Sequence, residues 1–213
     1  MVYVIVGDSL MTFKFLPVCF FVILSAHTYS KNAYCKKDAC GRVVATIPVG
    51  DAPNGIAITP DNRFAYVANN NNDGLVNGNT VSVLNLENNS VAEVITDVSF
   101  NEPYTVTINA EGTKAYITNS AGSTVTIIDI ATNTVSGVIT GFDGPSGFVI
   151  TPDGTTAYVN NYGAAGGVGS GNSTTVSIVD LETNTIVGAI KVDRAPAGLA
   201  GNRNCTLNGR YYD

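Results

Sequence analysis

Residues 145–161 read PSGFVITPDGTTAYVNN, and this stretch decides the fold because the chain contains it in three versions. Residues 53–69 read PNGIAITPDNRFAYVAN, and residues 103–119 read PYTVTINAEGTKAYITN. Each copy has an apolar run after a proline, then a turn, then a second apolar run that ends in asparagine. Such internal self-similarity is the mark of a repeat architecture.

Two further β-branched runs complete each copy. The third runs are Thr80–Asn85, Thr124–Asp129 and Thr175–Asp180, and the fourth are Val91–Ile95, Val135–Ile139 and Ile186–Ile190. An incoming run, Val43–Val49, aligns with the fourth runs. Short β-branched runs separated by turn formers predict a four-stranded antiparallel sheet in each copy, and Thr-Pro-Asp-Gly at 151–154 suits a type I turn.

The apolar pattern indicates how these sheets pack against one another. Val125–Ile130 is apolar at nearly every position, which predicts a strand buried on both faces. The equivalent tyrosines of successive copies, Tyr66, Tyr116 and Tyr158, lie 50 and 42 residues apart. Four strands per unit at this period predict β-propeller blades, whose sheets are stacked between neighbours. The predicted fold is therefore all-β, a partial propeller of about three and a half blades.

The repeated residues also resemble a known family. Tyr116-Ile-Thr-Asn119 and Tyr66-Val-Ala-Asn69 resemble the signature of the YVTN β-propeller repeat family, and Pro53–Asp61 resembles its consensus. The resemblance covers roughly residues 43–200, three full copies and the start of a fourth. It implies an exported or cell-surface protein, including those of surface-layer type, and it implies rings of about seven blades.

Four segments follow from these patterns. We predict a signal segment at 1–30, a basic cysteine-containing linker at 31–42, the repeats at 43–200 and an atypical tail at 201–213. In the tail, the fourth copy stops matching the repeat, which indicates a truncated or partial propeller. A half ring that self-associates through open blade edges is one reading of this pattern, and a fragment of a longer protein is another.

The N-terminal segment has the features of an export signal. Phe15–Ala26 carries no charge and follows Lys14, and it is shorter than the roughly 20 residues that span a bilayer. Met11 is the expected natural start, and cleavage is expected between Ala26 and Ala33. The alternative is an uncleaved anchor. The predicted location is extracytoplasmic, namely periplasmic, cell-surface or secreted, with no stable membrane span after processing.

The cysteines of the processed chain are expected to meet an oxidising compartment. Cys35 and Cys40 form the candidate disulfide, although either could pair with Cys205 instead. A zinc site is disfavoured because no second cysteine pair accompanies them and the single histidine, His27, lies in or beside the signal segment.

Charge narrows the classes of partner. Residues 43–193 carry three basic and fourteen acidic side chains, a balance of −11. Such a surface repels phosphate, so nucleic acid is not an expected partner. The expected partner is a protein or a cell-envelope component.

The residues that recur are interpreted as structural rather than chemical. Without a histidine in the processed chain, Ser-His-Asp and Cys-His sites are excluded. Asp61, Glu111 and Asp153 recur at one turn position, and Asn85, Asp129 and Asp180 recur at a strand end; turn formation explains both sets. The inserted loop at 69–79 begins, at 69–74, like a calcium-binding loop, but it has one carboxylate, and a plain polar loop is favoured.

The resulting hypothesis is an exported, non-catalytic repeat scaffold for binding or surface assembly, without a cofactor. We predict no catalytic residues and no metal ligands, and the sequence does not identify the binding residues. The alternative is half of a ring with an oxygen-ligand metal or small-molecule site in a central channel.

Overall fold

A computed structural model describes residues 2–6, 20–24, 42–70, 79–163 and 171–199, with side chains from residue 45 onward. All regular secondary structure in these ranges is β-strand. Three of its four sheets are four-stranded and antiparallel. The predicted all-β fold of propeller blades is confirmed.

Each repeat copy forms one blade, and the strands of a blade follow one another in space as in the chain. Blade A comprises β4 (Pro53–Ile58), β5 (Phe64–Asn69), β6 (Thr80–Asn85) and β7 (Ser90–Thr96). Blade B comprises β8 (Pro103–Ile108), β9 (Lys114–Asn119), β10 (Thr124–Asp129) and β11 (Thr134–Thr140). Blade C comprises β12 (Pro145–Ile150), β13 (Thr156–Asn161), β14 (Thr175–Asp180) and β15 (Thr185–Lys191).

A smaller sheet precedes blade A. Its strands are β1 (Val2–Val6), β2 (Phe20–Leu24) and β3 (Arg42–Ile47), with β1 between the other two. β3 is the incoming run that aligns with the fourth strands of the repeat. β1 and β2 lie inside residues 1–30, the segment predicted to be an export signal. The signal itself stays a prediction.

Burial differs between the strands of a blade. In blades A and B the second and third strands are almost wholly buried, and in blade C they are partly buried, whereas the fourth strands of all three blades are mostly exposed or half-buried. Close contacts join first strands: the Thr107 hydroxyl donates to the carbonyl oxygen of Phe148 at 2.8 Å, and Gly55 lies against the backbone of Tyr104. The first strands are therefore innermost, as in a propeller whose blades surround an axis.

The core lies between the blades. One apolar cluster joins blades A and B and includes Tyr66, Val83 and Ile117. A second joins blades B and C, where Tyr116 stacks on Phe148 with ring centroids 4.9 Å apart. Sheets buried on both faces explain the near-continuous apolar runs of the sequence. Across the ranges that the structure describes, no helix is long and apolar enough to cross a membrane.

Candidate functional site

One face of the blades carries loops of very different length. The second strand of each blade ends at Asn69, Asn119 or Asn161, opposite the start of the third strand at Thr80, Thr124 or Thr175. The connecting residues are 70–79 in blade A, 120–123 in blade B and 162–174 in blade C. Since equivalent strands run in the same direction, all three connections emerge on one face, here called the loop-bearing face.

The asparagine at the base of each connection is buried and makes the same two bonds. Asn119 Nδ2 donates to Thr124 Oγ1 at 2.9 Å and to Thr126 Oγ1 at 3.0 Å. The equivalent bonds are Asn69 to Thr80 and Ser82, at 2.8 and 3.0 Å, and Asn161 to Thr175 and Ser177, both at 2.9 Å. The connection therefore starts from the same rigid base whatever its length.

The oxygen of this asparagine fixes the chain that enters the blade. Asn119 Oδ1 accepts from the backbone N–H of Asn101 at 3.2 Å, and Asn161 Oδ1 accepts from that of Asp143 at 3.3 Å. Asn69 Oδ1 is buried and has no hydrogen-bond partner within the described part of the chain. The recurrence of asparagine was visible in the sequence; its partners, which lie on two other segments, were not.

A second recurring feature is a left-handed residue just before the proline of each first strand. Its φ is 47° at Ala52, 52° at Glu102 and 57° at Gly144 and Ala195. In the three complete blades its carbonyl accepts the N–H that follows the buried asparagine: Asn70 to Ala52 at 3.0 Å, Ser120 to Glu102 at 3.0 Å and Tyr162 to Gly144 at 2.9 Å. No glycine marks three of these four positions, so the sequence did not predict the turn.

Glu102 differs from its small counterparts by carrying a carboxyl group. Its N–H donates to Asn79 Oδ1 at 2.7 Å, which ties the end of the long connection of blade A to blade B. Burial raises the pKa of Glu102, and within the described part of the chain its Oε2 atom is buried without a partner. Glu102 is thus a charged residue whose backbone is bonded to the end of a long connection.

The opposite face carries the turns in which acidic residues recur. In blade A, Asp61 accepts from the Thr59 hydroxyl at 2.5 Å and from the Arg63 N–H at 3.0 Å. In blade C, Asp153 accepts from the Thr151 hydroxyl at 2.6 Å and from the Thr155 N–H at 3.1 Å. In both turns, the threonine hydroxyl that donates to the carboxylate holds the aspartate pKa below its usual value.

The turns between third and fourth strands use the same device. The side-chain Oδ1 atoms of Asn85, Asp129 and Asp180 each accept from the backbone N–H groups two and three residues later, at 2.8–3.2 Å. The turn-forming interpretation is confirmed for these residues and for Asp61 and Asp153. Glu111 differs, because in its turn Asn109 Oδ1 accepts from the Thr113 and Lys114 N–H groups instead, each at 2.9 Å.

Several predicted features lie outside the described residues: Cys35, Cys40 and Cys205, the linker up to residue 41, the tail at 201–213, and residues 71–74 of the calcium-like loop. The pairing of the cysteines stays a prediction. Among residues with described positions, no group of three or more His, Cys, Asp or Glu side chains could hold a metal ion.

Comparison with known proteins supports the propeller fold. The chain is 33% identical over 162 residues to the Seven-bladed beta-propeller protein Rv1057 of Mycobacterium tuberculosis, a match that covers 74% of this chain and 37% of that protein. It is 48% identical over 58 residues to the PE-PGRS family protein PE_PGRS18 of the same organism, covering 27% of this chain and 12% of that one. No family model matches the sequence.

Solved structures show the same architecture. Hydrazine synthase of Kuenenia stuttgartiensis is similar with a TM-score of 0.61 and 25% identity, over 74% of this chain and 42% of that one. A functionally unknown protein from Desulfotomaculum acetoxidans is similar with a TM-score of 0.58 and 19% identity, over 77% and 51%. The chain is a partial β-propeller, and it spans well under half the length of the curated relatives it matches.

Proposed function

We propose that this chain is an exported, non-catalytic propeller of the YVTN repeat type, and that its loop-bearing face binds a protein or a cell-envelope component. The supporting observation is the contrast between constant and variable parts. The buried asparagine and its hydroxyl partners are the same in all three blades, while the connections above them change from 120–123 in blade B to 70–79 and 162–174 in blades A and C. Loops on a rigid scaffold are where binding residues concentrate.

The composition of the long connections fits a polar partner. Residues 69–79 are NNNNDGLVNGN, and residues 162–174 are YGAAGGVGSGNST. Short amide and hydroxyl side chains supply adaptable hydrogen bonds, and glycine lets the backbone approach a ligand closely. The acidic balance of the repeats favours a neutral or cationic partner over a phosphate polymer.

Loop exchange tests the binding proposal. Residues 70–79 are replaced by the tight turn of blade B, Ser120–Ser123, which joins the same pair of strand ends in the same register. We expect the variant to fold like the wild type by circular dichroism and to lose cosedimentation with isolated cell envelopes. As a control, the turn at 85–89 on the opposite face is replaced by residues 129–133 of blade B, and this exchange leaves binding unchanged. Equal binding by all three proteins would contradict the proposal.

Export is tested separately. The intact mass and the N-terminal sequence of the protein recovered outside the cytoplasm should show that residues up to the Ala26–Ala33 region have been removed. An exported protein that still begins at Met1 or Met11 would contradict the cleaved signal. The non-catalytic part of the proposal needs its own test, because one structural neighbour, hydrazine synthase, is an enzyme by name. In the cosedimentation assay with cell envelopes, the bound envelope component should be recovered chemically unchanged.

A further inference from the structure

Among the residues that the structure describes, six large apolar side chains are exposed, and they fall into two groups. Four of them lie on fourth strands, namely Val94, Val138, Val187 and Ile190. The other two, Val98 and Tyr104, belong to residues 97–104, here called the entry segment of blade B. Val98 is fully exposed, with a relative exposure of 103%, and Tyr104 is 37% exposed.

The entry segment crosses the loop-bearing face. It follows β7, which ends at Thr96 opposite Thr80, and it leads into β8, which begins at Pro103 opposite Asn119. Thr80 and Asn119 both lie at the base of a connection on the loop-bearing face. Because blade B lies between blades A and C, this position is internal to the repeat.

The first half of the entry segment is a turn held by hydrogen bonds. The Ser99 N–H donates to Asp97 Oδ1 at 2.8 Å, and the Phe100 N–H donates to the Asp97 carbonyl oxygen at 3.2 Å. The Thr126 hydroxyl donates to Ser99 Oγ at 3.1 Å, and the Phe100 side chain is buried in the cluster between blades A and B. This turn therefore holds Val98 in the solvent.

The second half of the entry segment is held by both neighbouring connections. The Glu102 carbonyl oxygen accepts from the Ser120 N–H at 3.0 Å and from the Ser120 hydroxyl at 2.9 Å. The Pro103 carbonyl oxygen accepts from Asn70 Nδ2 at 3.3 Å. Tyr104 follows directly on β8. A backbone fixed in this way loses little conformational entropy when its exposed side chains are covered by a partner.

The equivalent segments of the other two blades lack these side chains. Asn54 and Ser146 hold the position of Tyr104 in blades A and C, and small residues hold the position of Glu102. Among the three complete blades, an aromatic ring and a carboxyl group therefore occur together at this place in blade B alone. The turn is shared by the blades, and the side chains that it presents are particular to one of them.

The charge of this face indicates the kind of partner. Five acidic side chains and one basic side chain belong to the four connections that lead into first strands, residues 48–52, 97–102, 141–144 and 192–195. The basic residue, Arg194, donates to Asn172 Oδ1. Glu102 Oε2 has no hydrogen-bond partner within the described part of the chain, and the face of a tyrosine ring attracts cations. A lysine or arginine side chain complements this surface.

We propose that Val98 and Tyr104 form the centre of the contact made by the loop-bearing face, and that the partner is an envelope protein that presents a lysine or arginine side chain beside an apolar one. The apolar side chain covers Val98, and the cation meets the Tyr104 ring and the Glu102 carboxyl group. This inference rests on the proposed binding role of the loop-bearing face, and it adds the residues that bind and the chemistry of the partner.

Two substitutions and a matched control test the contact. Tyr104→Asn introduces the residue that blade A has at this position, and Val98→Thr keeps the β-branched shape. Val94→Thr is the control, because Val94 is 50% exposed and lies on a fourth strand. Circular dichroism first shows that each full-length variant is folded, and cosedimentation with isolated cell envelopes then gives dissociation constants. We expect Tyr104→Asn to weaken binding about tenfold, Val98→Thr about threefold, and Val94→Thr not at all.

A second pair of variants tests the charge of the partner. Glu102→Gln removes the charge from the entry segment, and Glu87→Gln, in an exposed turn on the opposite face, is the control. We expect Glu102→Gln to weaken envelope binding about threefold to fivefold and Glu87→Gln to leave it unchanged. Envelopes digested with trypsin, which cleaves proteins after lysine and arginine, should no longer bind the wild type.

The outcomes separate this inference from the binding role on which it rests. If Tyr104→Asn and Val98→Thr bind as tightly as the wild type, the proposed contact is wrong, even where the exchange of residues 70–79 abolishes binding. Binding that survives trypsin, or that is unchanged in Glu102→Gln, would overturn the cationic protein partner. A wild-type chain that does not sediment with envelopes would contradict the binding role of the loop-bearing face, and this inference with it.

Discussion

Asn119 on β9 donates to Thr126 on β10 across 3.0 Å, and its oxygen accepts from the backbone of Asn101, which belongs to the segment entering the same blade. One buried side chain therefore joins three segments of blade B. Asn69 and Asn161 repeat the two bonds from Nδ2, and Asn161 also repeats the bond to Oδ1.

Replacing this asparagine should weaken the blade. Asn119→Ala removes three hydrogen bonds at a site with 0% exposure and leaves buried groups unpaired. We expect a loss of about 3 kcal/mol in the free energy of unfolding, measured by urea denaturation. Asn88→Ala, at an exposed turn position, is the control and should cost less than about 0.5 kcal/mol. Equal losses would show that the buried network is unimportant.

Gly55 should not tolerate a methyl group. A Cβ there would lie 2.4 Å from the carbonyl oxygen of Tyr104 on the next blade, so the first strands of blades A and B would have to separate. We expect Gly55→Ala to destabilise the protein by about 1–3 kcal/mol. Gly137→Ala is the matched control, because its Cβ would meet only Ile127 Cδ1 at an ordinary 3.6 Å. That control should be neutral or slightly stabilising, and the reverse order of the two variants would refute the packing argument.

Tyr66 should make the free energy of unfolding fall as pH rises in the alkaline range. Burial, with the negative charge of Glu93 and Asp129, raises the pKa of its hydroxyl from 10.0 to about 12. Because the folded protein holds this proton more tightly, stability is fully present below pH 10 and is lost as pH rises towards 12. In Tyr66→Phe this loss should be smaller.

The same substitution has an effect at neutral pH. The Tyr66 hydroxyl donates to Asn133 Oδ1 in the turn between β10 and β11 of the next blade, and Asn133 Nδ2 donates to Glu93 at 2.8 Å. Removing the hydroxyl should cost about 1 kcal/mol at pH 7. Parallel stability curves for wild type and Tyr66→Phe between pH 9 and 12 would contradict the assignment.

Glu102 destabilises the fold in two ways, through its backbone conformation and through its buried carboxyl group, and two variants separate these effects. Its φ of 52° is left-handed, and burial raises its pKa, which disfavours the charged form in the folded state. Glu102→Ala removes the carboxyl group, so stability should no longer fall as pH rises through the raised pKa. Glu102→Gly also removes the backbone strain and should be up to about 1 kcal/mol more stable than Glu102→Ala in thermal unfolding. A glycine variant less stable than the alanine variant would contradict the strain.

Sequence and structure agree where the repeat carries the signal. The alternation of prolines, apolar runs and turns, which are Thr-Pro-Asp in blades A and C and Asn-Ala-Glu in blade B, located the strands of all three blades, since period and turn chemistry are local properties. The contacts between blades were not predictable in the same way. The pairing of Asn119 with Asn101, the approach of Gly55 to Tyr104 and the left-handed Ala52 depend on segments brought together only by folding.

Native-state hydrogen exchange tests most directly the claim that three repeat copies form three equivalent blades. The central residues of the second strands, Val67, Ile117 and Val159, are each 0% exposed, whereas the fourth strands are largely exposed. We predict that the amides of these three residues exchange at similarly slow rates and more slowly than amides of β7, β11 and β15. Rapid exchange at any one of the three would contradict the account, because that copy would not form a blade.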